Sequence, residues 1–172
     1  MKLGIISDTH ITTEYDKDKL ASLLNQLKEV FNDVDEIIHA GDICEEFFLD
    51  MINEIAQTRC VQGNLDNIKN LDKFAKFSVG RYNIGVIHIL PENLEDFAKN
   101  NNIQILIFGH THQPLIKGTE FNVLLLNPGS PTMPKAPLEK PGFKKPIARP
   151  SVITLKIDEN DILSTFIINL KL

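Results

Sequence analysis

The residues of this chain that could do chemistry are aspartate, asparagine and histidine side chains that each follow a short apolar run. Seven of them form an ordered series along the chain: Asp8, His10, Asp42, Asn64, His88, His110 and His112. Oxygen ligands suit ions such as Mg²⁺ and Mn²⁺, whereas imidazole suits iron, zinc and nickel. Seven ligands, one of them shared, suffice for two ions and leave positions open for water and substrate. The series therefore predicts a two-metal hydrolase.

Each of these motifs alone has an ordinary structural explanation. A single Asp-x-His or Gly-Asp more often belongs to a turn, and His88 alone would be assigned to the core. Four of the five histidines nevertheless fall within the series, so chance is a poor explanation of the set. The fifth, His39, is predicted to lie in the core or behind the ligands. Cys44 is predicted to serve as a small buried hydrophobe.

Short β-branched runs alternate with amphipathic stretches in the first half of the chain, and this alternation predicts βα units. Asp16 or Asp18 is available to cap the first helix. The predicted elements are strands at 2–7, 36–39 and 58–62 and helices at 20–31 and 47–55.

The second half of the chain has mostly strand patterns and resembles an antiparallel arrangement. The whole chain therefore predicts a mixed α/β fold with a pair of mixed sheets flanked by helices, and with the candidate ligands at strand ends. The predicted elements here are strands at 74–80, 82–88, 103–108, 115–117, 123–126, 152–157 and 163–170 and a helix at 92–100.

Length and composition predict one domain, 1–172, in the cytoplasm. A 172-residue chain with 42% hydrophobic and 24% charged residues can bury a core of its own. Two cysteines make no disulfide framework, and no apolar stretch reaches the ~20 residues that span a bilayer. The net charge of −5 argues against a surface built to hold nucleic acid, and no membrane partner is expected.

One segment, 131–150, departs from this pattern because it holds six of the nine prolines and an excess of lysine and arginine. Such a composition predicts a long loop. It is interpreted as a solvated excursion between two strands, with a basic flap near an anionic site or an oligomer contact as the alternatives. The preceding Asn127-Pro128-Gly129-Ser130 places the root of this loop near the predicted site.

In its order of motifs, the chain resembles the calcineurin-like metallophosphoesterases, and its length resembles the small YfcE-like phosphodiesterases of that superfamily. The resemblance covers essentially the whole chain and implies a four-layer αββα sandwich with a di-metal site at the strand ends. The motifs that carry it are Asp8-x-His10, Gly41-Asp42, Gly63-Asn64, His88, Gly109-His110-x-His112 and Asn127-Pro128-Gly129-Ser130.

This resemblance also implies a ligand set and a reaction. One ion would be held by Asp8, His10, Asp42 and His112, and the second by Asp42, Asn64, His88 and His110. Asn64, Asp42 and His110 would be the catalytic residues of a metal-dependent phosphodiesterase in which a metal-bridging hydroxide attacks phosphorus. Mn²⁺ is the expected ion, with Ni²⁺, Mg²⁺, Fe²⁺ and Zn²⁺ as alternatives.

Two positions depart from the family pattern. Leu65 stands where many members have a histidine that is proposed to protonate the leaving group, and His88 is followed by Ile89 and Leu90 instead of glycine and histidine. A leucine cannot donate a proton, and general acid catalysis is typically worth ~10²–10⁴-fold. The expected substrate is therefore a small phosphodiester with a leaving group of low pKa.

Two alternatives remain at the level of the sequence. The first is a catalytically weak protein-interaction scaffold of the same fold, against which the intact cluster of polar ligands argues. The second is a nucleotide pyrophosphate or cyclic-nucleotide hydrolase, which would need an aromatic side chain to stack on the base. The chain has no tryptophan, and Tyr15, in the loop after His10, is the main candidate. A homodimer or homotetramer is compatible with the sequence.

Overall fold

Two five-stranded sheets form the centre of the computed structural model, which describes residues 1–172. The fold has ten strands and three helices, and nearly all the bounds of these thirteen elements match the sequence prediction to within two residues. In chain order they are β1 (Lys2–Ile6), α1 (Lys17–Val30), β2 (Glu36–His39), α2 (Glu46–Asn53), β3 (Thr58–Cys60), β4 (Phe74–Val79), β5 (Tyr82–Ile87), α3 (Leu94–Asn100), β6 (Ile105–Ile107), β7 (Leu115–Gly118), β8 (Leu124–Asn127), β9 (Ser151–Ile157) and β10 (Leu163–Asn169).

The first sheet has the strand order β10-β9-β1-β2-β3. Strands β1, β2 and β3 are parallel because α1 and α2 carry the chain back to the same starting edge each time. Asp16 begins α1, and its side chain accepts the main-chain N–H groups of Asp18 and Lys19. Strands β9 and β10 complete the sheet in antiparallel pairing.

The second sheet has the order β4-β5-β6-β8-β7, and its centre corrects the antiparallel prediction for this half of the chain. Strands β5, β6 and β8 are parallel, and only the outer pairs β4–β5 and β7–β8 are antiparallel. The reason is α3, which connects β5 to β6 as a crossover and so returns the chain to the same edge. Strand periodicity reports which face is buried but carries no information on direction.

Four layers result, in the order helices, sheet, sheet, helix, as the αββα prediction states. Side chains between the two sheets form a core that includes Ile5, Val86 and Ile153. Helices α1 and α2 pack on the outer face of the first sheet, and α3 packs on the outer face of the second. No helix is long and apolar enough to cross a lipid bilayer.

The arrangement places the carboxyl ends of six parallel strands along one edge of the sandwich. Strands β1, β2 and β3 end there in the first sheet, and β5, β6 and β8 end there in the second. Loops that follow such strand ends are where sheets of this kind collect their functional groups. All seven candidate ligands lie in loops that follow these strands. Each is at most five residues beyond the last residue of its strand.

Candidate metal centre

Three of the candidate ligands, Asp8, His10 and His112, form what we call the inner group. The Nε2 atoms of His10 and His112 are 3.1 Å apart, and His112 Nε2 lies 3.5 Å from Asp8 Oδ1. One ligand atom from each of the three residues falls within 4.8 Å of the others. Asp8 is completely buried and His112 nearly so, whereas His10 is half-buried.

Another three, Asn64, His88 and His110, form what we call the outer group. The side-chain oxygen of Asn64 lies 3.1 Å from His88 Nε2 and 3.1 Å from His110 Nδ1. His88 is buried, but Asn64 and His110 are exposed to solvent. The outer group therefore presents its ligand atoms towards the surface.

Asp42 joins the two groups. Its Oδ2 atom is 3.3 Å from His88 Nε2, and ligand atoms of Asp8, Asp42 and His88 all lie within 4.8 Å of one another. Burial acts to raise the pKa of Asp42, but hydrogen bonds from His88 and from the Leu65 main-chain N–H outweigh it and lower that pKa. Asp42 therefore stays ionised at neutral pH.

The hydrogen-bond roles around His88 indicate a cation. Its Nδ1 atom lies 2.8 Å from the Ala40 carbonyl oxygen, which can only accept, so Nδ1 carries a hydrogen. A neutral His88 would then point the lone pair of Nε2 at the oxygens of Asn64 and Asp42, which are acceptors too. Three converging acceptors repel one another unless a positive charge lies between them.

The pKa of His88 agrees with that interpretation. Burial acts to lower it, but the hydrogen bonds with Asp42 and with the Ala40 carbonyl, together with the negative charges of Asp42 and Asp8, outweigh burial and raise the pKa of His88. Positive charge is thus favoured at this point, whether a proton or a metal ion supplies it. His112 is oriented in the same manner, because its Nδ1 lies 2.8 Å from the Met133 carbonyl oxygen and leaves Nε2 for a ligand role. The residues present fit two divalent cations.

Backbone strain is concentrated in the same loops. Ten non-glycine residues have a positive φ, and five of them are candidate ligands: Asp8, His10, Asp42, His110 and His112. This left-handed conformation is uncommon for residues with a side chain and gathers at functional sites. At each of these residues the chain turns away from the direction of the preceding strand, and the turn orients the side chain towards the other candidate ligands.

The glycines of the motifs allow close approach to the ligands. A Cβ on Gly63 would overlap the main-chain nitrogen and the carboxylate of Asp42. A Cβ on Gly41 would lie 2.7 Å from His88 Nδ1, and the φ of this residue is +90°. Only glycine therefore lets the loops after β2 and β3 pack this closely around Asp42 and His88.

Asp66 is a functional residue that the sequence argument did not assign. Its carboxylate accepts main-chain N–H groups from Cys44 at 2.7 Å, from Gly63 at 2.6 Å and from Asp42 at 3.1 Å. The bonds from Asp42 and Cys44 fix the loop after β2, which carries Asp42, to the loop after β3, which carries Asn64, and the bond from Gly63 closes the latter loop on itself. A carboxylate three positions after a motif glycine was the available signal, because short acidic side chains commonly bond to nearby main-chain N–H groups.

The segment from Asn127 to Ser130 is hydrogen-bonded to the main chain of the loops that carry the inner group. Asn127 Nδ2 donates to the Gly109 carbonyl at 2.8 Å, and the Ser130 hydroxyl donates to the Asp8 carbonyl at 2.7 Å. The Ser7 hydroxyl bonds the Asp8 carboxylate at 2.6 Å, which opposes the rise in its pKa caused by burial. The prediction that this segment lies near the site agrees with these contacts.

The long loop 131–150 contains no helix or strand, and its first residues have different surroundings from its middle. At its root, the Thr132 hydroxyl donates to the Thr9 carbonyl at 2.8 Å and the Lys135 N–H donates to the His112 carbonyl at 3.1 Å. Further along, Leu138 and Phe143 are exposed. The start of the loop is therefore bonded to the segments that carry the inner group, whereas Leu138 and Phe143 face solvent.

His39 and Cys44 lie behind the ligands. His39 is fully buried, and its Nε2 lies 3.1 Å from the Thr9 hydroxyl, which agrees with a core role. Burial lowers the pKa of His39 to about 3. Cys44 is half-buried, not fully buried, and its Sγ lies 3.8 Å from His10 Nδ1. Burial raises the pKa of this thiol to about 11, so it remains protonated.

Leu65 and the two tyrosines are the remaining predicted features. Leu65 is exposed directly beside Asn64 and leaves the outer group without a proton donor at that position. Tyr15 is half-buried, packs against the core on the helix side of the first sheet, and lines a separate cavity with Pro131 and Thr132. Tyr82 begins β5 and therefore lies at the end opposite to His88. Neither tyrosine lines the cavity beside Asn64 and His88.

Comparison with known proteins agrees with this architecture. The profile of the calcineurin-like phosphoesterase superfamily domain matches residues 1–159. The chain is 34% identical over 166 residues to a probable metallophosphoesterase of Methanothermobacter thermautotrophicus, covering 92% of this chain and 87% of that one. It is 37% identical over 146 residues to the probable metallophosphoesterase MJ0623 of Methanocaldococcus jannaschii, covering 81% and 72%.

Three solved structures share the fold at lower identity. A predicted phosphoesterase from Streptococcus pneumoniae superposes with a TM-score of 0.72 at 20% identity, covering 98% of this chain and 88% of that one. Zinc-complexed Vps29 from Entamoeba histolytica gives 0.71 at 21%, covering 99% and 100%. A structure described as a novel archaeal phosphodiesterase gives 0.66 at 24%, covering 98% and 100%. These likenesses concern the fold alone.

Proposed function

Because this chain belongs to the calcineurin-like phosphoesterase superfamily, we propose that it is a metal-dependent phosphodiesterase with two divalent ions, Mn²⁺ first among them. The observation that carries the proposal is the convergence of the inner group, the outer group and Asp42 on a small volume at one sheet edge. Bound ions would activate water and polarise the phosphoryl oxygens.

The residues of the chain hold and orient this chemistry. Asp42 stays ionised between the two groups, while Ala40 and Met133 fix the ring orientations of His88 and His112 through their carbonyl oxygens. Asn64 and His110 are the exposed members of the site and lie where a substrate would arrive. We expect their side chains to contact a phosphoryl oxygen.

Several features support a phosphodiester with a good leaving group. The exposed position beside Asn64 is Leu65, which cannot protonate a departing alkoxide. General acid help is typically worth ~10²–10⁴-fold, so leaving groups of high pKa should react slowly. One neighbour of similar fold is described as a phosphodiesterase, which agrees with this proposal.

The scaffold alternative draws on the likeness to Vps29, which is a likeness of fold. The converging acceptors around His88 weigh against a scaffold without ions, since such groups are costly to bury unpaired. The nucleotide alternative lacks its stacking side chain at this site, because Tyr15 is half-buried against the core and lines a different cavity from the one beside Asn64 and His88. We therefore favour a small, non-nucleotide diester.

The test is hydrolysis of bis-p-nitrophenyl phosphate by metal-stripped protein with and without Mn²⁺. Turnover should require the metal, should be lost in Asn64→Ala and should persist in Asn67→Ala, a matched control at an exposed position outside the site. Turnover of p-nitrophenyl phosphate, a monoester, should be slower. No metal-dependent turnover of either ester, despite bound ions, would contradict the proposal and favour the scaffold.

A further inference from the structure

The cavity next to the outer group has a chemical character of its own. It measures about 430 Å³ and is bounded on one side by Asn64 and His88. The rest of its wall is made by Gln62, Gly63, Lys73, Ile87 and Ile89. Ligand cavities commonly measure ~300–1,000 Å³, so this one suits a small organic group. It contains no acidic side chain and no aromatic ring other than the imidazole of His88.

Lys73 supplies the only full positive charge in this wall. Its side chain is exposed and makes no ion pair with any acidic residue. Lysine is a compact, strongly hydrated charge with three donors and pairs with carboxylates and phosphates. An anionic group that entered the cavity would find its partner here.

The main chain on both sides of Lys73 is fixed. On one side, the Gln62 N–H donates to the Asp72 carbonyl at 2.8 Å, which ties this segment to the loop that carries Asn64. On the other side, Phe74 pairs with Ile87 in the β4–β5 ladder. Lys73 therefore lines the cavity from a main-chain position fixed by the same elements that carry Asn64 and His88.

We propose that this cavity is a subsite for one ester arm of the substrate, and that Lys73 selects a small arm that carries a negative charge. The inference rests on the proposed function, since the scissile phosphate must lie on the ligand side of Asn64 and His88. Ile87 and Ile89 would contact a short aliphatic spacer, and the Lys73 ammonium would pair with a carboxylate or phosphate at its end. The substrate class is thus a phosphodiester with a second anionic group.

The experiment measures the affinity of the Mn²⁺-loaded protein for two series of phosphonates by calorimetry. One series is 2-carboxyethyl-, 3-carboxypropyl- and 4-carboxybutylphosphonate, and the other is the unbranched alkylphosphonates of equal length. At the length that spans the cavity, the carboxylate should improve affinity about two- to fivefold, the range of an exposed ion pair. The improvement should vanish in Lys73→Met and become a penalty in Lys73→Glu.

Lys76→Met is the matched control, because Lys76 is an exposed lysine on β4 that does not line the cavity. It should retain the full preference for the carboxylate. An equal affinity for both series at every length, or a preference that survives Lys73→Met, would overturn the inference.

The two proposals fail in distinguishable ways. Metal-dependent hydrolysis of bis-p-nitrophenyl phosphate without a charge preference in the phosphonates would retain the phosphodiesterase and overturn the role of Lys73. A Lys73-dependent preference without hydrolysis of any diester would support the anionic subsite and contradict the phosphodiesterase.

Discussion

The inner and outer groups of the candidate metal centre use similar ligands in different surroundings. The inner group lies deep, and its Asp8 is completely buried beneath the Ser7 hydroxyl and the Ser130 contact. The outer group has two exposed members, Asn64 and His110, and borders a cavity. Under the proposed function, the buried inner group would anchor the ions and the more exposed outer group would contact the substrate.

Asp42 is the point at which the two groups depend on each other, so its replacement should have the largest effect. In Asp42→Asn the shared negative charge is lost while the side-chain oxygen that accepts from the Leu65 N–H remains. We expect the kcat for bis-p-nitrophenyl phosphate to fall by more than about 100-fold, the upper range for residues that merely support a ligand. Steady-state kinetics at saturating Mn²⁺ measures the effect, and near-normal turnover would show that the groups act independently.

Asp66 should rank second, because it holds the loop of Asp42 against the loop of Asn64 without being placed to bind an ion itself. Asp66→Asn should weaken the affinity for Mn²⁺ by roughly 10–100-fold, as is typical of residues that orient ligands. Excess Mn²⁺ should then restore much of the activity. Asp72→Asn, at an exposed neighbouring position, should leave the affinity unchanged. Loss of activity that excess Mn²⁺ cannot restore would contradict this role.

Leu65→His would sharpen the comparison by giving the outer group a proton donor. Leu65 is 57% exposed beside Asn64, so a histidine there has room. The rate for a phenyl ester, a poorer leaving group, should rise at least about tenfold relative to a p-nitrophenyl ester, within the range of general acid catalysis. Hydrolysis of phenyl p-nitrophenyl phosphate and diphenyl phosphate measures the ratio. An unchanged ratio would mean that proton donation does not limit the reaction.

Replacement of His39 should have the smallest effect on activity, because it lies behind the ligands. Its effect should be on stability. Its pKa in the folded protein is about 3, below the ordinary 6.5, so the unfolded chain binds a proton in this interval that the folded chain does not. The free energy of unfolding should therefore decrease as pH falls below about 6.5, by up to ~1.4 kcal/mol per pH unit, until about pH 3. Urea denaturation of metal-stripped wild type and His39→Gln should show a shallower dependence in the variant, and parallel curves would refute the assignment.

The strand ends and the identities of the candidate ligands could be predicted from the sequence, but the backbone conformation of those ligands could not. Asp8 and His10 were identifiable because polar residues end an apolar run, but their positive φ values occur in a loop whose main-chain N–H groups bond to the Gly41 and Asp42 carbonyls only in the folded chain. The role of Asp66 likewise depends on three main-chain N–H groups that come together only in the folded chain. Strand direction around β5 and β6 was missed because periodicity reports faces and not crossovers.

The most direct test of the account counts ions. Equilibrium dialysis of the metal-stripped protein against Mn²⁺, followed by elemental analysis, should give two ions per chain for the wild type. Asn64→Ala should retain one, because the buried inner group remains intact while the exposed outer group loses an oxygen ligand. A wild type that binds fewer than two ions per chain at saturating Mn²⁺ would contradict the two-ion centre and with it the proposed phosphodiesterase.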